Sequence, residues 1–527
     1  MGHPFRNQLV QVLDRARNAG PWPFLVLGLV DRFILVVQFG ARYVSTDDAI
    51  QWAGAVDYAH GILRWPYYYG QDYGPMFEAL VAAPGIWVGA PLSWSLPAIS
   101  SALFLLPFWS FALYHHARGQ AWPALGFALT PVLLPVEFGM MTTIPRGFVT
   151  GLAPLAILPW AQRSGGLFRG ALLIGGSVGL AGYLNPNALV FALPYVMWFV
   201  LIRRPGMLGG LGLIVGLLPA IALHLAGQAW CTAHGDAIVH RLGHLGWSVD
   251  GGAMLRSLGR MNEHLQWTCP LLWGAEDVLL PGLLALSVLA FRRGDRVLAA
   301  VVLMATAGIV ASLSLPKVQD GWDSVFFPLS RMFLAVPLLV AWVLGLSAPA
   351  RGPRRSLVLI ALAASVSAIA YKAAVVDRVG AEQVAAQTKW VSVLPFTELE
   401  QDAAELGRLC TAHDVDLIVV PIRLGTRVWA QFRAYLHPTL VPELPPTYAY
   451  GYERRHWQRT EQGQAVHRTL LVIGGAEERW SELRTLDPRI RRIGALQGDL
   501  VHLLPAEDRP TDDRMAELVE DLLSAGP

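Results

Sequence analysis

Two adjacent acids, Asp47 and Asp48, lie in the segment Ser45-Thr46-Asp47-Asp48-Ala49, just beyond the first strongly apolar run of the chain, 22–40. A charged side chain is costly in or near hydrocarbon, so acids at a membrane boundary usually face a wet cavity, a cation or a substrate. A carboxylate in such a place can remove a proton from an attacking hydroxyl group. We therefore predict Asp48 or Asp47 as a catalytic general base.

The segment that follows mixes acids with aromatic residues. After Asp57 the chain reads Arg64-Trp65-Pro66-Tyr67-Tyr68-Tyr69-Gly70-Gln71-Asp72-Tyr73-Gly74-Pro75, and Glu78 opens the next apolar stretch. Tyr and Trp offer flat faces for sugar rings, and they also anchor chains at the membrane interface. We predict a functional site here, with Asp72, Glu78 and Tyr69 binding substrate. The alternative is an interfacial aromatic belt with incidental acids.

Apolar segments must position these residues. The chain has 527 residues, of which 54% are hydrophobic and only 15% are charged. The apolar residues come in blocks of about twenty, which is the length that crosses a bilayer as a helix. We predict an all-α polytopic membrane protein with about 11–13 transmembrane helices. The candidate spans are 22–40, 77–92, 96–114, 121–136, 147–161, 171–183, 187–202, 208–227, 276–291, 297–315, 329–347 and 355–371.

The arginines indicate which side of the membrane each connection faces, because cytoplasmic loops carry an excess of positive charge. The pattern places the N-terminus in the cytoplasm, and it places the loops 41–76 and 228–275 and the C-terminal tail outside. The basic start of the chain is followed by an apolar run without a small-residue cleavage site, so we expect an uncleaved anchor in the cytoplasmic (inner) membrane. The arginine-bearing connections contain Arg163/Arg169, Arg203/Arg204, Arg292/Arg293/Arg296 and Arg351/Arg354/Arg355.

Twelve spans conflict with this orientation, because a cytoplasmic N-terminus and an outward tail require an odd number. Segment 77–92 is short and carries Pro84 and Pro91. A broken or re-entrant helix is tolerated at membrane depth when it is buried in protein. We therefore expect the miscount to lie within 77–136.

The composition changes sharply near Tyr371. This change divides the chain into a transmembrane domain, 1–371, and an extracytoplasmic domain, 372–527. The second part alternates helix-like and strand-like stretches, which predicts a small α/β domain. The predicted helices are 396–413, 426–436 and 477–486, and the predicted strands are 416–421 and 468–473.

Cysteines and histidines allow further sites. Cys231 and Cys269 share one outward loop, where an oxidising compartment permits a disulfide; alternatively, all three cysteines, with a buried Cys410, are free thiols. His240 and His244 would share a helix face at a metal-like spacing. No Glu follows the first His and no further ligand is fixed by spacing, so we expect this loop to pack over the active cavity and predict no metal ligands.

The order of three motifs resembles the GT-C superfamily of polyprenyl-phosphate-sugar glycosyltransferases, which includes the dolichyl-phosphate-mannose protein mannosyltransferases and their bacterial relatives. An acidic motif follows the first span, and an aromatic, Gly-containing stretch leads into the second apolar segment. A late helix then opens with an outward Arg and a Pro. These motifs are Thr46-Asp47-Asp48, Tyr69-Gly70-Gln71-Asp72-Tyr73-Gly74-Pro75-Met76-Phe77-Glu78-Ala79-Leu80 and Ser330-Arg331-Met332-Phe333-Leu334-Ala335-Val336-Pro337.

The resemblance implies an inverting transfer of a sugar from a lipid phosphate to an acceptor hydroxyl, with an Asp of the first outer loop as the base. Arg331 would then stabilise the leaving phosphate, with Arg146 as a second phosphate-binding candidate. The tail is similar to an outward α/β domain of some bacterial members, through Arg427-Val428-Trp429-Ala430-Gln431-Phe432-Arg433-Ala434-Tyr435. Met332 replaces the commoner aromatic residue, and the separated Asp-x-Asp pair of metal-using members is missing. The resemblance therefore neither implies nor excludes a divalent metal, and no other cofactor is expected.

The expected partners are a lipid-linked sugar donor, a glycan, protein or lipid acceptor, and the membrane. The net charge of +2 gives no indication of nucleic-acid binding. The main alternative is a transporter or flippase of a lipid-linked intermediate, in which the same acids would relay protons or bind a cation. Transporters often contain paired interrupted helices in two related halves, and the sequence shows no such symmetry.

Overall fold

Helices dominate the computed structural model, which describes residues 20–524 except 164, 235–237, 239–240, 242–248, 270–277, 320–323, 350–351, 387–391, 422–426, 442, 452–456 and 475–476. Up to residue 386 the elements are α1 (Trp22–Leu35), β1 (Tyr43–Ser45), α2 (Thr46–Ala59), α3 (Phe77–Trp87), α4 (Leu92–His116), α5 (Ala121–Leu133), α6 (Val136–Met141), α7 (Leu158–Ala161), α8 (Leu167–Leu184), α9 (Leu189–Arg203), α10 (Gly206–Ala233), α11 (Gly251–Leu258), α12 (Met261–Leu265), α13 (Leu279–Arg292), α14 (Arg296–Ser312), α15 (Pro316–Gln319), α16 (Val336–Leu346) and α17 (Arg355–Ala385). A π-helical turn, Val36–Gly40, continues α1, and short 3₁₀ helices lie at Thr150–Ile157, Pro186–Ala188 and Leu329–Phe333.

The apolar helices form a multi-pass membrane protein. Among the described residues, seven helical segments are long and apolar enough to cross a membrane, and five shorter apolar helices accompany them. Each of these twelve overlaps one candidate span of the sequence, which confirms the predicted polytopic all-α body. α3 has only 11 residues, a length of about 16 Å against a hydrocarbon thickness of about 30 Å. This length agrees with the expectation that 77–92 is not a full crossing.

Glycines let α8 and α10 approach closely. A Cβ atom added to Gly212 would meet the backbone carbonyl oxygen of Phe168 at 2.6 Å, and one added to Gly216 would collide with the carbonyl oxygen of Leu172. Small residues permit such backbone contact between membrane helices. These glycines of α10 therefore pack directly against the backbone of α8.

The chain divides into two compact units. The bundle unit contains the described residues of Met1–Ala41, Trp94–Ala226 and Gly243–Thr388, and the loop–tail unit contains those of Arg42–Ser93, Gly227–Leu242 and Lys389–Pro527. The division expected at residue 371 differs from this in two respects. The first outer loop groups with the tail, and α17 continues to Ala385. The apolar composition ends near Tyr371, but the Ala, Lys, Arg, Glu and Gln residues that follow continue to favour a helix.

The tail of the loop–tail unit is an α/β domain, as predicted. One five-stranded sheet has the order β4-β3-β5-β7-β6, in which β4, β3 and β5 are parallel and β7 is antiparallel to both of its neighbours. The elements are β2 (Val393–Pro395), α18 (Phe396–His413), β3 (Leu417–Val419), α19 (Arg427–Tyr435), α20 (His437–Leu440), β4 (Thr447–Tyr448), a π-helical turn (Arg459–Gly463), β5 (Leu470–Ile473), α21 (Glu477–Leu486), β6 (Arg491–Leu496), β7 (Asp499–Leu504) and α22 (Thr511–Ser524).

Alternating side chains of the sheet enter two hydrophobic cores, because successive residues of a strand point to opposite faces. On one face Leu470 and Val472 pack with Trp480 of α21 and Met515 of α22. On the other face Leu471 and Ile473 pack with residues of α18 and α19. The tail helices therefore cover both faces of the sheet.

A second, two-stranded sheet joins the first outer loop to the start of the tail. β1 pairs antiparallel with β2, in the register Tyr43↔Pro395, Val44↔Leu394 and Ser45↔Val393. The amide of Thr46 also donates to the carbonyl of Ser392 (3.1 Å). The start of α2 is therefore fixed by backbone hydrogen bonds from the tail.

Candidate functional site

The helix that carries the two acids begins with a capping box. Ser45 is the N-cap residue of α2: its hydroxyl oxygen accepts from the Asp48 amide (3.2 Å), while Asp48 Oδ2 accepts from the Ser45 amide (2.8 Å). Such reciprocal bonds satisfy two amides that a helix end would otherwise leave without acceptors. Asp48 is only 2% exposed, and burial raises the pKa of its carboxyl group to about 8. Asp48 thus serves the helix start and is largely protonated at neutral pH.

Asp47 occupies the same helical turn but is half-buried. Its backbone carbonyl accepts a hydrogen bond from the Tyr68 hydroxyl (2.5 Å). The Tyr68 amide donates to the Gly74 carbonyl (2.9 Å), so the aromatic loop closes on itself beside the helix start. The carboxylate of Asp47 is therefore the more accessible of the two and stands on a fixed backbone.

The remaining acids of the loop differ in exposure. Glu78 lies in the first turn of α3, is fully buried, and its charge adds to the rise in the pKa of Asp48. Asp57 accepts from the Tyr69 hydroxyl (2.6 Å). Asp72 is half-buried, and its carbonyl accepts from Gln228 (2.6 Å). The structure thus brings two carboxyl groups, those of Asp48 and Glu78, into electrostatic contact.

The aromatic side chains of this unit are mostly interior. Trp52, Trp65, Tyr67 and Tyr69 are at most 1% exposed. Fully buried aromatic rings pack and stabilise, and in this structure they do not present flat faces to a sugar. Tyr69, predicted as a substrate-binding residue, supports the loop instead through its hydroxyl and its ring.

The tail holds the outer loop by side chains as well as by β1 and β2. The ring of Trp52 lies 5.5 Å from that of Phe396. Arg64 forms an ion pair with Glu461 (2.6 Å) and lies 5.5 Å from the centroid of Trp457, whose ring packs edge-on against Tyr69. The tail therefore helps to build the surface that carries Asp47.

The two arginines predicted to bind phosphate meet on one aromatic ring of the bundle unit. The guanidinium carbon of Arg331 lies 3.8 Å from the centroid of Phe327, and that of Arg146 lies 4.8 Å from the same centroid. Arg146 also donates to the Phe326 carbonyl, and Arg331 donates to the Pro328 carbonyl (3.3 Å). Two segments that are far apart in the sequence thus place their cations against one ring, although Arg331 is only 5% exposed.

A charged cluster that the sequence reasoning missed lies within the bundle unit. Lys372 Nζ lies 2.7 Å from Asp31 Oδ1 and donates to the Val132 carbonyl (2.8 Å), and Asp31 Oδ2 lies 3.3 Å from Arg32. Arg32 also donates to Thr142 (2.7 Å). The signal was present: two adjacent charges lie midway along the first apolar run, where ionisable residues are rare and usually functional.

A second missed cluster is buried in the tail. Arg433 makes two hydrogen bonds to Asp402 (2.8 and 2.9 Å) and one to Asp499 (2.7 Å), and His437 Nε2 lies 2.8 Å from Asp402. In the sequence, the segment around Arg433 stands out only for its aromatic pattern. The cluster joins α18, α19, α20 and β7, so it organises the helices of the tail.

The predicted histidine and cysteine sites have different outcomes. His240 and His244 lie outside the described residues. Within the described part of the chain no group of three His, Cys, Asp or Glu side chains could hold a metal ion. Cys231, Cys269 and Cys410 are buried free thiols. The structure therefore agrees with the alternative that all three cysteines are free, and not with a disulfide between Cys231 and Cys269.

The predicted site residues fall in different units. Asp47, Asp48, Tyr69, Asp72 and Glu78 belong to the loop–tail unit. The two arginines that meet on Phe327 belong to the bundle unit. The loop–tail unit therefore holds the predicted carboxylates, and the bundle unit holds the two predicted arginines.

A comparison with solved structures finds ArnT from Cupriavidus metallidurans bound to undecaprenyl phosphate, with a TM-score of 0.51 and 11% sequence identity over 91% of this chain and 97% of that chain. No protein-family model matches the chain, and no curated protein matches it. A likeness at this identity concerns the fold, and it extends over both the helices and the tail. The chain therefore has a fold similar to that of ArnT over nearly its whole length.

Proposed function

We propose that this protein is an integral-membrane glycosyltransferase that moves a sugar from a polyprenyl-phosphate donor to an acceptor on the extracytoplasmic face. The observation that carries the proposal is the half-buried Asp47 carboxylate on the first turn of α2, next to a buried, capped Asp48. The ArnT-like fold supports the same class of reaction.

In the proposed reaction, the oxygen of an acceptor hydroxyl attacks the anomeric carbon of the donor sugar while Asp47 accepts the hydroxyl proton. The bond between the anomeric carbon and the phosphate oxygen breaks, and its electron pair leaves with polyprenyl phosphate, which gains one negative charge. A single displacement of this kind inverts the anomeric centre.

Asp47 suits the role of base better than Asp48 does. At neutral pH a base must be ionised, whereas burial raises the pKa of Asp48 to about 8. One oxygen of Asp48 is already bonded to the Ser45 amide. We therefore assign proton removal to Asp47 and positioning of the helix start to Asp48.

The two arginines on Phe327 are assigned to the donor phosphate. Fixed cations aimed at a group that gains charge stabilise the transition state more than the ground state. Arg331 is buried and Arg146 half-buried, and guanidinium groups suit the geometry of phosphate oxygens. Among the other predicted residues, half-buried Asp72 is assigned to substrate hydroxyls, whereas buried Glu78 and Tyr69 act through their neighbours.

The pairing of β1 with β2 bears on topology. Two paired strands lie on the same side of a membrane, so the first outer loop and the tail share one face. The arginine-rich connections support the extracytoplasmic side for that face. The protein would thus act at the outer surface of the inner membrane.

The decisive experiment uses purified protein reconstituted in lipid with a panel of radiolabelled polyprenyl-phosphate sugars and a membrane extract as the source of acceptors. Asp47→Asn should lower transfer by about 10²–10⁴-fold, the usual contribution of a general base. Asp48→Asn should lower it less, because an amide oxygen can still accept from Ser45. Asp414→Asn is the control, since this exposed residue has a left-handed backbone (φ 49°) that Asn tolerates.

Full transfer by Asp47→Asn would overturn the assignment of the base.

The second candidate function, a transporter or flippase, is favoured by the buried Asp31–Lys372 pair, because intramembrane acids and bases often relay protons. Consumption of no donor, together with movement of labelled lipid to the other leaflet, would select the transporter.

A further inference from the structure

Asn187 lies where the two arginine-bearing segments meet. It belongs to the short helix Pro186–Ala188 and is only 2% exposed. Its Nδ2 donates to the carbonyl of Phe148 (2.7 Å) and to the carbonyl of Arg331 (3.1 Å). Phe148 follows Arg146 by two residues, so one amide group joins the backbones that carry both guanidinium groups.

Asn185 supports the same junction. Its Nδ2 donates to the Gly147 carbonyl (2.8 Å), and its Oδ1 accepts from the Asn187 amide (3.1 Å). Gly147 has a left-handed backbone (φ 76°), so the chain turns sharply directly after Arg146. The turn is held at its carbonyl and cannot be relaxed without breaking these bonds.

Two guanidinium groups repel each other when they approach the same ring, because like charges at short range are destabilising in a medium of low dielectric constant. Contact with the Phe327 ring offsets part of this repulsion, but it does not set the position of either backbone. The Asn187 amide does set it, since it bonds to the carbonyl of Arg331 itself and to that of Phe148. Preorganised cations bind a charged ligand without a further cost of reorganisation.

We propose that Asn187 is a positioning residue that sets the spacing of Arg146 and Arg331 for the phosphate of a polyprenyl-phosphate ligand. The inference rests on the proposed function, which assigns these arginines to the donor phosphate. It adds a residue that contacts neither sugar nor acceptor and that acts only through the two arginines.

The test measures binding of undecaprenyl phosphate to purified full-length protein in lipid nanodiscs, together with donor and acceptor KM. Asn187→Ala should weaken binding about tenfold, as expected for the loss of hydrogen bonds that hold charged groups, and should raise the donor KM without changing the acceptor KM. Ser177→Ala is the matched control, because it also removes a buried hydrogen bond to a backbone carbonyl, that of Pro154 (2.6 Å). It should bind the lipid as the wild type does.

Combining variants separates positioning from general destabilisation. Because Asn187 acts only through the two arginines, adding Asn187→Ala to the double variant Arg146→Ala/Arg331→Ala should weaken binding no further. Additive losses would overturn the inference. The inference would also be overturned if Asn187→Ala bound the lipid as the wild type does while Arg331→Ala had lost binding. That result would leave the proposed function intact.

Wild-type binding by Arg146→Ala and by Arg331→Ala would instead remove the phosphate role of the arginines, and the inference with it. If Asn187→Ala fails to fold, Asn187→Ser decides the question, because its hydroxyl keeps one donor. Weakened lipid binding by that variant would support the inference, and wild-type affinity would overturn it.

Discussion

Ser45 and Asp48 exchange two hydrogen bonds at the start of α2, and one of them uses a carboxyl oxygen of a residue that is almost completely buried. The exchange distinguishes two acids that are neighbours in the sequence. Asp48 closes the helix end, and Asp47 is the more exposed of the two acids. The proposed function assigns proton removal to Asp47 for this reason.

Asp48 makes the stability of the fold depend on pH. Its pKa is about 8 in the folded protein and about 4 in an unfolded chain, so the folded state binds the proton more tightly. This tighter proton binding stabilises the folded protein. The stabilisation is fully present below about pH 4 and is lost as pH rises through 8, at no more than about 1.4 kcal/mol per pH unit. Melting temperatures of wild type should therefore fall between pH 5 and 8.

Asp48→Asn supplies the comparison for that profile. The amide side chain is neutral at every pH, so the melting temperature of this variant should change less over the same interval. Parallel profiles of the two proteins would show that Asp48 is not the titrating group.

Tyr68 should matter for turnover because it bonds to the backbone of Asp47. Tyr68→Phe removes the hydroxyl and should lower kcat by about five- to tenfold, corresponding to about 1 kcal/mol for one hydrogen bond. Tyr371→Phe is the control, since Tyr371 is 55% exposed on α17. Equal kcat values for the two variants would show that the bond to Asp47 has no part in positioning the base.

The buried cluster around Asp31 should respond differently to single and double changes. Asp31→Asn leaves Arg32 and Lys372 buried without the carboxylate that they share, and we expect a loss of about 3–5 kcal/mol in unfolding free energy. Adding Lys372→Met removes one of the two buried cations and should restore at least half of the loss. Chemical denaturation in detergent measures both.

An exposed ion pair on α17, the helix that carries Lys372, gives a reference for this loss of stability. Arg378 and Glu382 of α17 are more than half exposed, and Glu382→Gln should cost less than about 1 kcal/mol. A double variant of Asp31 and Lys372 that is less stable than Asp31→Asn alone would contradict the charge explanation.

The glycines of α10 allow a matched test of helix packing. Gly216→Ala places a methyl group against the backbone of α8 and should destabilise by about 1–3 kcal/mol. Gly210→Ala changes the same helix where a Cβ atom meets nothing within 4 Å, and it should stabilise slightly because Ala favours a helix over Gly. Equal shifts in the two melting temperatures would contradict close packing of α8 on α10.

Local patterns allowed accurate prediction of individual elements. The tail helices 396–413 and 477–486 have the predicted bounds, and the predicted strands 416–421 and 468–473 contain β3 and β5. The hairpin of β6 and β7 was missed. Its two-residue turn, Gln497-Gly498, has left-handed backbone at both positions (φ 45° and 85°), but it lacks the Asn or Asp that usually signals such a turn.

Long-range relations could not be predicted in this way. Nothing local in Tyr43–Ser45 indicates a partner at Val393–Pro395, and composition placed the outer loop with the membrane domain. The sequence identified Asp47 and Asp48 as a pair but could not separate their roles, because burial depends on the surrounding fold. Arg146 and Arg331 were each named as phosphate candidates, but their meeting on Phe327 depends on tertiary packing.

The pairing of β1 with β2 has a consequence for biosynthesis. The ribosome completes β1 roughly 350 residues before β2, which at about 5–20 residues per second is an interval of tens of seconds. During this time the helix that carries Asp47 lacks the strand that fixes its first turn. The acidic loop therefore completes its structure only after β2 is made, and we expect a chain truncated before Val393 to lack the surface around Asp47.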